Sequence, residues 1–350
     1  MTLFSLQNSF AKLPTRQFFL EHLPQPISNN AVASLTHNKI TYIASFNGLT
    51  ESKQAKDITS KTFLWRSDTK KWQTLPELPG GGKLASSAVA IKQSFYIIGG
   101  YTIADDGTEK STPEIYKLSY PYQQFQLETK IPIPVDDSVA LVYQDRYLYL
   151  VSGWHDEDNV TDVQIYDTQT QQWHTSTSFP GVAVFGHTAA IFNNKILVID
   201  GVGVVGKIEG KRQFAIIDQA WIGIINDQDI SKIQWKKVAN HAGKSRYRMA
   251  AFKQQNSNHF IFIGGSDNPY NYNGIGYDGK PSTPLSKLLI YDLEMNCWLN
   301  SNIFGPDVMD LRGVARLGNT YAIVGGMDKN QTVLNIVQGF QYESKSVKCN

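Results

Sequence analysis

Short apolar runs recur along the chain, and each ends abruptly at glycine or at another small, turn-forming residue. Residues 96–98, 261–263 and 322–324 are apolar, and each run is followed by two glycines. Successive endings lie roughly fifty to sixty residues apart, and a fixed period of that size indicates a repeat architecture. Runs this short, closed by turn residues, favour β-strands over helices. Three further runs end in variants of the doublet, namely Ala44-Ser45, Ser152-Gly153 and Asp200-Gly201.

A second pattern follows most doublets after a loop of variable length. In residues 166–173 and 291–298, a strand ends in Tyr-Asp and a short turn leads to Trp. Aspartate suits this turn because its side chain bonds to the backbone two residues on. Each repeat therefore predicts four short antiparallel strands, as in a propeller blade. The corresponding positions in other repeats are Trp65 and Trp72, Leu118 and Phe125, and Trp235 after an insertion.

The two ends of the chain complement each other. After Gly326 the sequence predicts one more strand, at 332–337, and no Trp-type strand follows it. Residues 18–24 read like residues 72–79, the predicted fourth strand of the first repeat. We therefore predict an all-β, six-bladed β-propeller whose ring is closed by the N-terminal strand pairing in the last blade. That pairing removes exposed sheet edges.

The predicted ring forms a single domain over residues 1–350. A chain of this length suggests two or three ordinary domains, but a closed repeat array holds it in one unit. The predicted blades span about 28–79, 80–132, 133–180, 181–242, 243–305 and 306–345, and residues about 15–26 complete the last one.

The glycine doublets and the spaced Tyr and Trp residues resemble the kelch repeat over nearly the whole chain. Kelch propellers include scaffolds that bind proteins, copper oxidases similar to galactose oxidase, and sugar-acid mutarotases similar to N-acetylneuraminate epimerase. A ring with arginines near its mouth is similar to the mutarotases. The segments around Asp136, Trp154, His187 and Asp267 also look like bacterial kelch proteins of unassigned function. The resemblance implies a class of site only, because no Glu matches an epimerase catalytic position.

The positions of the cysteines exclude galactose-oxidase chemistry. The copper oxidases need a Tyr crosslinked to a Cys near the axis. Cys297 lies beside Trp298 on a predicted outer strand, and Cys349 lies in the C-terminal tail. Neither should reach the axis, so copper and other cofactors are not expected. Two widely separated cysteines also predict no disulfide framework, which favours a reducing, cytoplasmic compartment.

Composition narrows the classes of partner. The formal charge of +2 gives no electrostatic reason to expect nucleic acid or an anionic membrane. The chain has no apolar run long enough for a transmembrane helix. Its first residues do not read as a signal peptide, although a processed periplasmic precursor would look the same.

The face with the long loops is where we expect function. Residues 101–113, 154–161, 202–212 and 266–286 follow doublets, so they should surround the starts of the innermost strands. Alignment from the doublets predicts a ring of residues at equal depth, formed by Ala31, Ser86, Asp137, His187, Arg248 and Arg312. Two residues earlier, a second ring consists of Asn29, Leu84, Val135, Phe185, Arg246 and Asp310.

These rings suggest an anion or sugar-acid site. Arginine gives planar, bidentate recognition of a carboxylate, which makes Arg246, Arg248 and Arg312 candidate ligand-binding residues. The candidates for proton transfer are Asp137, His187 and Asp310. Alternatively, residues at the mouth are polar because a propeller channel holds water, and the arginines tie neighbouring blades together. Further candidates for contact with a ligand are Ser86, Asp136, Trp154 and Phe185.

The loop after Gly265 is the most distinctive stretch. Its tyrosines among asparagines and glycines offer stacking faces and hydrogen-bonding groups suited to sugar rings. Alternatively, it is an ordered loop of Asx-turns packed over the blade. It fails the calcium-loop pattern because Pro269 and Lys280 occupy the first and last positions. The candidate ligand-binding residues in this loop are Asp267, Asn268, Tyr270 and Tyr272.

Two weaker motifs give no site. His155 with its three acidic neighbours at 156–158 is more typical of a solvated loop than of a metal site, and no metal is expected. The glycine-rich run 201–206 lacks the βαβ context that a dinucleotide needs. The predicted function is therefore binding of a sugar or sugar acid at the long-loop face, with mutarotase or epimerase activity as the candidate reaction. The alternative is a non-catalytic propeller that binds a protein partner.

Overall fold

Six four-stranded antiparallel sheets surround a common axis in the part of the chain that the structure describes. The structure is a computed structural model, and it describes residues 13–14, 16–300, 302–342 and 349. From the axis outwards, blade 1 contains Ala31–His37, Ile40–Leu49, Ile58–Arg66 and Lys71–Leu75. Blade 2 contains Ser87–Ile91, Ser94–Ile98, Glu114–Ser119 and Phe125–Lys130. Blade 3 contains Val139–Tyr143, Tyr147–Val151, Val163–Asp167 and Gln172–Thr175.

The second half of the ring repeats this arrangement. Blade 4 contains Thr188–Phe192, Lys195–Ile199, Ala220–Asn226 and Asp229–Lys237. Blade 5 contains Ala250–Lys253, His259–Ile263, Leu289–Asp292 and Cys297–Trp298. Blade 6 contains Ala315–Leu317, Thr320–Val324, Val337–Gln341 and Arg16–Phe19. The predicted all-β, six-bladed propeller is confirmed.

Shorter elements lie outside the blades. A 3₁₀ turn spans Ala55–Asp57. Leu13–Pro14 pairs in parallel with Ile303–Phe304. Three hairpins stand on the long-loop face: Tyr101–Ile103 with Glu109–Ser111, Trp154–His155 with Asp158–Asn159, and Val202–Ile208 with Lys211–Ile216.

The N-terminal strand closes the ring, as the sequence predicts. Arg16–Phe19 pairs antiparallel with Val337–Gln341, and Phe18 lies opposite Gly339. A Cβ on Gly339 would lie 2.2 Å from the Phe18 ring, so only glycine accommodates this contact. The prediction of a strand at 332–337 is wrong, since the third strand of blade 6 begins at Val337. Val333 is apolar because it packs in the loop cluster around Met309 and Met327, not because it belongs to a strand.

The glycine doublets set where the long loops go. The second glycine takes a left-handed backbone and approaches the segment that leads into its own inner strand. A Cβ on Gly100 would lie 2.6 Å from the Leu84 carbonyl oxygen. The next residue, Tyr101, then pairs with Leu84 through two backbone hydrogen bonds of 2.8 and 3.0 Å. The doublets of blades 2 to 6 therefore direct the following loops to the mouth of the channel.

The predicted strand ending at Ala44-Ser45 is wrong, because the strand Ile40–Leu49 runs through it. In blade 1 the left-handed pair is Asn47-Gly48, and the next residue, Leu49, pairs with Ser28.

The aromatic pairs join neighbouring blades. Tyr166 lies opposite Trp173, and Tyr291 lies opposite Trp298, on adjacent strands. The Trp298 indole donates to the Ala239 carbonyl (2.7 Å), which follows the outer strand of blade 4. The Trp173 indole donates to the Thr129 hydroxyl in blade 2 (3.0 Å). These residues therefore fix the angle between blades, and with it the position of the loops.

The two cysteines, from which the sequence predicted no disulfide framework, form one disulfide. Cys297, on the outer strand of blade 5, forms a disulfide with Cys349 across a Cα–Cα distance of 5.8 Å. A sequence separation of 52 residues gave no indication of this proximity. Among the described residues, no helix is long and apolar enough to cross a membrane.

Candidate functional site

One residue with a left-handed backbone stands at the start of each inner strand, with φ between 50° and 64°. This position corrects the alignment predicted from the sequence. Of the first predicted ring, Asp137 and Arg248 occupy it. Ser86 and His187 lie one residue later, and Ala31 and Arg312 lie two residues later. The structurally equivalent residues are Asn29, Ala85, Asp137, Gly186, Arg248 and Asp310.

The six residues of the second predicted ring also lie at different depths relative to the left-handed positions. Asn29 and Asp310 belong to the ring just defined. Leu84 and Phe185 lie one residue before it, where each pairs with the residue after its doublet. Val135 and Arg246 lie two residues before it and are buried. The sequence alignment failed because the inner hairpins differ in length, so a fixed distance from the doublet does not reach equivalent positions in the six blades.

Hydrogen bonds link the six equivalent positions into a circle around the axis. In five blades the donor is a backbone N–H and the acceptor is the carbonyl of the left-handed residue one blade earlier. The distances are 3.0 Å for Asp137 to Ala85, 2.7 Å for Gly186 to Asp137, 2.8 Å for Arg248 to Gly186, 3.2 Å for Leu311 to Arg248 and 3.3 Å for Asn29 to Asp310. The Asn29 side chain accepts the remaining bond, from the Ala85 N–H. This circle narrows the axis on the long-loop side.

The Arg248 side chain spans the narrowed axis. Its Nη2 lies 2.6 Å from Asp137 Oδ2, its Nε 3.3 Å from Asp137 Oδ1, and its Nη1 3.0 Å from Asp310 Oδ1. Arg312 also contacts Asp137 Oδ1. All four side chains are buried, with at most 5% of any one exposed. Two arginines are therefore balanced by two carboxylates, and neither guanidinium is held ready for the carboxylate of a ligand.

Arg246 has a structural role of its own. Its guanidinium donates to the backbone carbonyls of Gly264 (3.0 Å), Leu285 (3.2 Å) and Lys287 (2.7 Å). These bonds fasten the doublet of blade 5 to the end of its long loop. The geometry of all three arginines agrees with the alternative that they tie the ring together.

His187 lies on the other side of the circle. It lines a channel of about 320 Å³ formed by the inner strands, together with Ser138 and Arg312. Burial lowers the pKa of His187 to about 4, so the imidazole is neutral and its Nε2 donates to the Val151 carbonyl at 2.8 Å. Neither His187 nor Asp310 lines the cavity that lies on the long-loop face.

A separate cavity of about 80 Å³, which we call the aromatic pocket, lies on the long-loop face with Arg248 in its lining. Its polar residues include three acidic side chains and one amide. The aromatic residues of its lining are Tyr101, Trp154, Phe185, Phe214, Tyr270, Tyr272 and Tyr277, and the other residues are Glu109, Asp136, Asp137, Asn271 and Arg248.

The hairpins hold the aromatic walls in contact with one another. Trp154 packs edge-on against Phe185, with ring centroids 5.4 Å apart. Phe214, on the Val202–Ile216 hairpin, packs against Phe185 at 5.8 Å and stacks on Tyr277 at 4.7 Å. Tyr277 is 41% exposed and forms the rim, whereas Tyr270 is fully buried. The rings thus form a continuous wall that is fixed by three different loops.

Asp136 is the carboxyl group best placed for chemistry in this pocket. Its backbone pairs with Trp154 through two hydrogen bonds of 2.9 Å, which fixes its position. Burial raises the pKa of Asp136 to about 7, and the hydrogen bond from the Ser111 hydroxyl (2.6 Å) opposes that shift. Burial also raises the pKa of Glu109, although solvent reaches much of this side chain, so we regard Asp136 as the more strongly shifted group.

The structure gathers about half of the sequence candidates in the pocket. Those that line it are Asp136, Asp137, Trp154, Phe185, Arg248, Tyr270 and Tyr272. Ser86 instead bonds Asn47 and the Gly99 carbonyl. Asp267 pairs with Lys244, and Asn268 bonds Asp278 at 3.1 Å. The candidates outside the pocket are Ser86, Arg246, Arg312, His187, Asp310, Asp267 and Asn268.

Five lining residues were not among the candidates: Tyr101, Glu109, Phe214, Asn271 and Tyr277. Tyr101 follows its doublet as Trp154 does, so the repeat could have identified it. Glu109 and Phe214 reach the pocket only because their loops fold back as hairpins.

The acidic loop 155–158 is held by hydrogen bonds. His155 Nδ1 lies 2.7 Å from the Pro134 carbonyl, and Asp156 Oδ1 accepts from the Ser111 N–H at 3.0 Å. Within the described ranges, no three His, Cys, Asp or Glu side chains are grouped so as to hold a metal ion.

Comparison with known proteins agrees with this architecture. A sequence model of the family described as Kelch motif matches residues 138–180, which contain blade 3. The chain is a kelch-repeat β-propeller. The solved structure of YjhT superposes with a TM-score of 0.72 at 16% identity, covering 95% of this chain and 99% of that one. This likeness supports the fold alone.

Two curated relatives also match this kelch propeller. Kelch-like protein terF of Aspergillus terreus is 25% identical over 189 residues, which cover 52% of this chain and 40% of the relative. Human Kelch-like protein 33 is 28% identical over 141 residues, which cover 40% of this chain and 26% of the relative. The match therefore spans less than half the length of either relative.

Proposed function

We propose that the aromatic pocket binds a small carbohydrate and that Asp136 exchanges protons with the bound sugar, as in a mutarotase. The observation that carries this proposal is a buried carboxyl group, with a pKa raised to about 7, in a cavity walled by aromatic rings. Perturbed carboxyl groups in clefts are characteristic of functional sites.

The walls suit a sugar ring. Aromatic faces pack against the C–H faces of a pyranose, while the tyrosine hydroxyls and Asn271 supply hydrogen bonds at the edges. A cavity of about 80 Å³ accommodates the edge of one monosaccharide, with the remainder of the ring at the mouth. Tyr277 at the exposed rim is positioned to cover that remainder.

The chemistry follows from the two carboxyl groups. Anomers interconvert when an acid protonates the ring oxygen while a base removes the proton of the anomeric hydroxyl, which opens the ring. Closure on the other face of the carbonyl returns both protons, so nothing is consumed. A group with a pKa near the working pH is present in both forms and serves either role. Asp136 meets this condition, and Glu109 supplies the second carboxyl.

The proposal departs from the sugar acid that the sequence implied. Arg248 and Arg312 are paired with Asp137, and Arg246 holds backbone carbonyls. A ligand carboxylate would enter a pocket that already contains Asp136 and Glu109, and like charges repel. We therefore expect sugars without a carboxylate to bind better than sugar acids.

Exchange NMR tests this function. Wild-type protein should accelerate anomer exchange of a panel of monosaccharides beyond the buffer rate, with N-acetylneuraminate among the weakest substrates. Asp136→Asn should lower the acceleration by about 10²-fold or more while saturation-transfer contacts to the sugar persist. His187→Gln is the matched control, because His187 is buried near the axis but lies outside the pocket. Absence of both acceleration and sugar contacts in the wild type would refute the proposal.

Protein binding by the same face is the second candidate. The hairpin Val202–Ile216 carries Val205 and Ile208, which are 57% and 63% exposed. Exposed apolar side chains on a projecting loop are suited to a protein partner. Two results together would replace the first function with this second one. The propeller would show no sugar contacts by NMR, and the double variant Val205→Ser/Ile208→Ser would abolish a physical association of the purified protein.

A further inference from the structure

We propose that the ligand of the aromatic pocket carries a positively charged amino group, so that the substrate class is an amino sugar. This inference rests on the proposed function and specifies it. It is based on the charges that line the pocket and on the arrangement of its rings.

The first step is the balance of charge. The Arg248 guanidinium is already held by Asp137 and Asp310 at 2.6 and 3.0 Å. Asp136 and Glu109 are the other two acidic groups of the pocket, and neither forms an ion pair within the described part of the chain. Once the internal pairs are counted, the pocket presents carboxyl groups without a matching cation.

The second step is the nature of the walls. The face of an aromatic ring attracts a cation through the ring quadrupole. This protein uses the same walls in that way, since the Arg212 guanidinium lies 5.3 Å from the Trp154 ring centroid and Arg248 lies 5.4 Å from that of Tyr270. An ammonium inside the pocket would meet further faces from Phe214 and Tyr277, which stack on each other at the rim. Rings and carboxylates together favour a cation over a neutral or anionic group.

The third step concerns the cost of burying the Asp136 carboxylate, which a bound cation would reduce. Asp136 accepts a hydrogen bond from Ser111 on the Glu109–Ser111 strand (2.6 Å), and the charges of Glu109, Arg248 and Arg312 act on its pKa. These arginines lower its pKa, but burial outweighs them, so the free carboxylate carries an uncompensated desolvation cost. A bound ammonium would supply the missing partner. Asp136 would then be held as the carboxylate and would act first as the base toward the anomeric hydroxyl.

Because ligand binding and ionisation of Asp136 are coupled, the affinity for an amino sugar should depend on pH. Binding of a cation favours the ionised form of Asp136, so protons are released when the amino sugar binds near neutral pH. Affinity should therefore rise between about pH 5.5 and about pH 7, a range in which the ligand amine stays mostly protonated. A neutral sugar should show no such rise, since its binding does not depend on an ionised carboxylate.

Isothermal titration calorimetry with D-glucosamine, D-glucose and N-acetyl-D-glucosamine tests the inference. The amino sugar should bind about tenfold or more tightly than either uncharged analogue. Glu109→Gln removes one of the two carboxyl groups and keeps the shape of the side chain, so it should bring the affinity ratio of D-glucosamine to D-glucose close to one. Glu157→Gln is the matched control, because Glu157 is an exposed acid on a neighbouring hairpin turn outside the pocket.

The outcomes separate the two proposals. Equal affinities for the charged and uncharged sugars would overturn the amino-sugar inference and leave carbohydrate binding intact. Absence of binding by every sugar would overturn both. A preference for D-glucosamine that survives in Glu109→Gln and in Asp136→Asn would also overturn the inference, because the preference would then not arise from the carboxyl groups of the pocket.

Discussion

Arg248 of blade 5 pairs across the axis with Asp137 of blade 3, two blades away. Its Nη2 lies 2.6 Å from Asp137 Oδ2 and its Nε lies 3.3 Å from Asp137 Oδ1. Gly186 stands between them in the circle of hydrogen bonds and has no side chain to obstruct the pair. Asp310 of blade 6 binds the other end of the same guanidinium. One arginine therefore links three of the six blades at the point where the aromatic pocket meets the axis.

Replacement of Arg248 by Met should destabilise the fold strongly. It leaves Asp137 and Asp310 buried without this partner, and breaking a buried pair in this way costs about 3–5 kcal/mol. Arg66→Met is the matched control, because Arg66 pairs with Asp68 at 2.7 Å and both side chains are more than one-third exposed, at 34% and 38%. Exposed pairs contribute about 1 kcal/mol or less. Urea denaturation of both variants measures the difference. Full stability with lost ligand binding in Arg248→Met would instead identify Arg248 as a ligand-binding arginine.

Asp136 should make the free energy of unfolding depend on pH. Its pKa is raised to about 7 in the folded protein, against about 3.9 in an unfolded chain. Between these values the native state holds more protons than the unfolded state, so stability falls as pH rises from about 4 to about 7. The full effect is roughly 4 kcal/mol. Asp136→Asn should remove this component, which is measured as the difference between wild-type and variant denaturation midpoints across that range. Parallel pH profiles would contradict it.

The repeat in the sequence was sufficient for the fold. Doublets such as Gly99-Gly100 mark where strands end, and the match between residues 18–24 and 72–79 predicted the closing strand. The alignment near the axis was not recoverable in the same way. The equivalent position in each blade is the left-handed residue before the inner strand. In blades 5 and 6 this residue is Arg248 or Asp310, and neither residue type signals a left-handed conformation as glycine does.

The site was predictable where residues follow the repeat and unpredictable where they do not. Trp154 lines the pocket because it directly follows a doublet. Glu109 and Phe214 depend on hairpins inside variable loops, and sequence periodicity carries no information about those. The pairing of Arg248 with Asp137 also escaped the sequence, because alignment gives depth along the axis but not which side chains meet across it.

Gly186→Ala should destabilise the protein and disturb the pocket. Gly186 has a φ of +58°, and an added Cβ would lie 2.0 Å from the Tyr247 ring. The strained backbone costs about 1 kcal/mol, and displacement of a packed ring adds roughly 1–3 kcal/mol. Gly210→Ala separates the two effects, since Gly210 has a φ of +76° but nothing within 4 Å of the added atom. The thermal unfolding midpoint of Gly186→Ala should therefore be well below that of Gly210→Ala. Equal losses of stability in the two variants would mean that the Tyr247 ring moves aside without a measurable cost.

The disulfide should contribute to stability although it lies far from the pocket. Cys297 and Cys349 close a loop with a sequence separation of 52 residues, and the loss of unfolded-state entropy for such a loop is worth about 4 kcal/mol. A reducing agent should therefore lower the wild-type denaturation midpoint and leave that of Cys297→Ser/Cys349→Ser unchanged. Thiol titration of the unfolded, unreduced wild type should find no free thiol. Two free thiols would show that the bond does not form under the conditions of expression, and the effect of the reductant should then disappear as well. Because the bond lies on the outer edge of blade 5, its loss should leave sugar binding at the axis unchanged at temperatures where the ring stays folded.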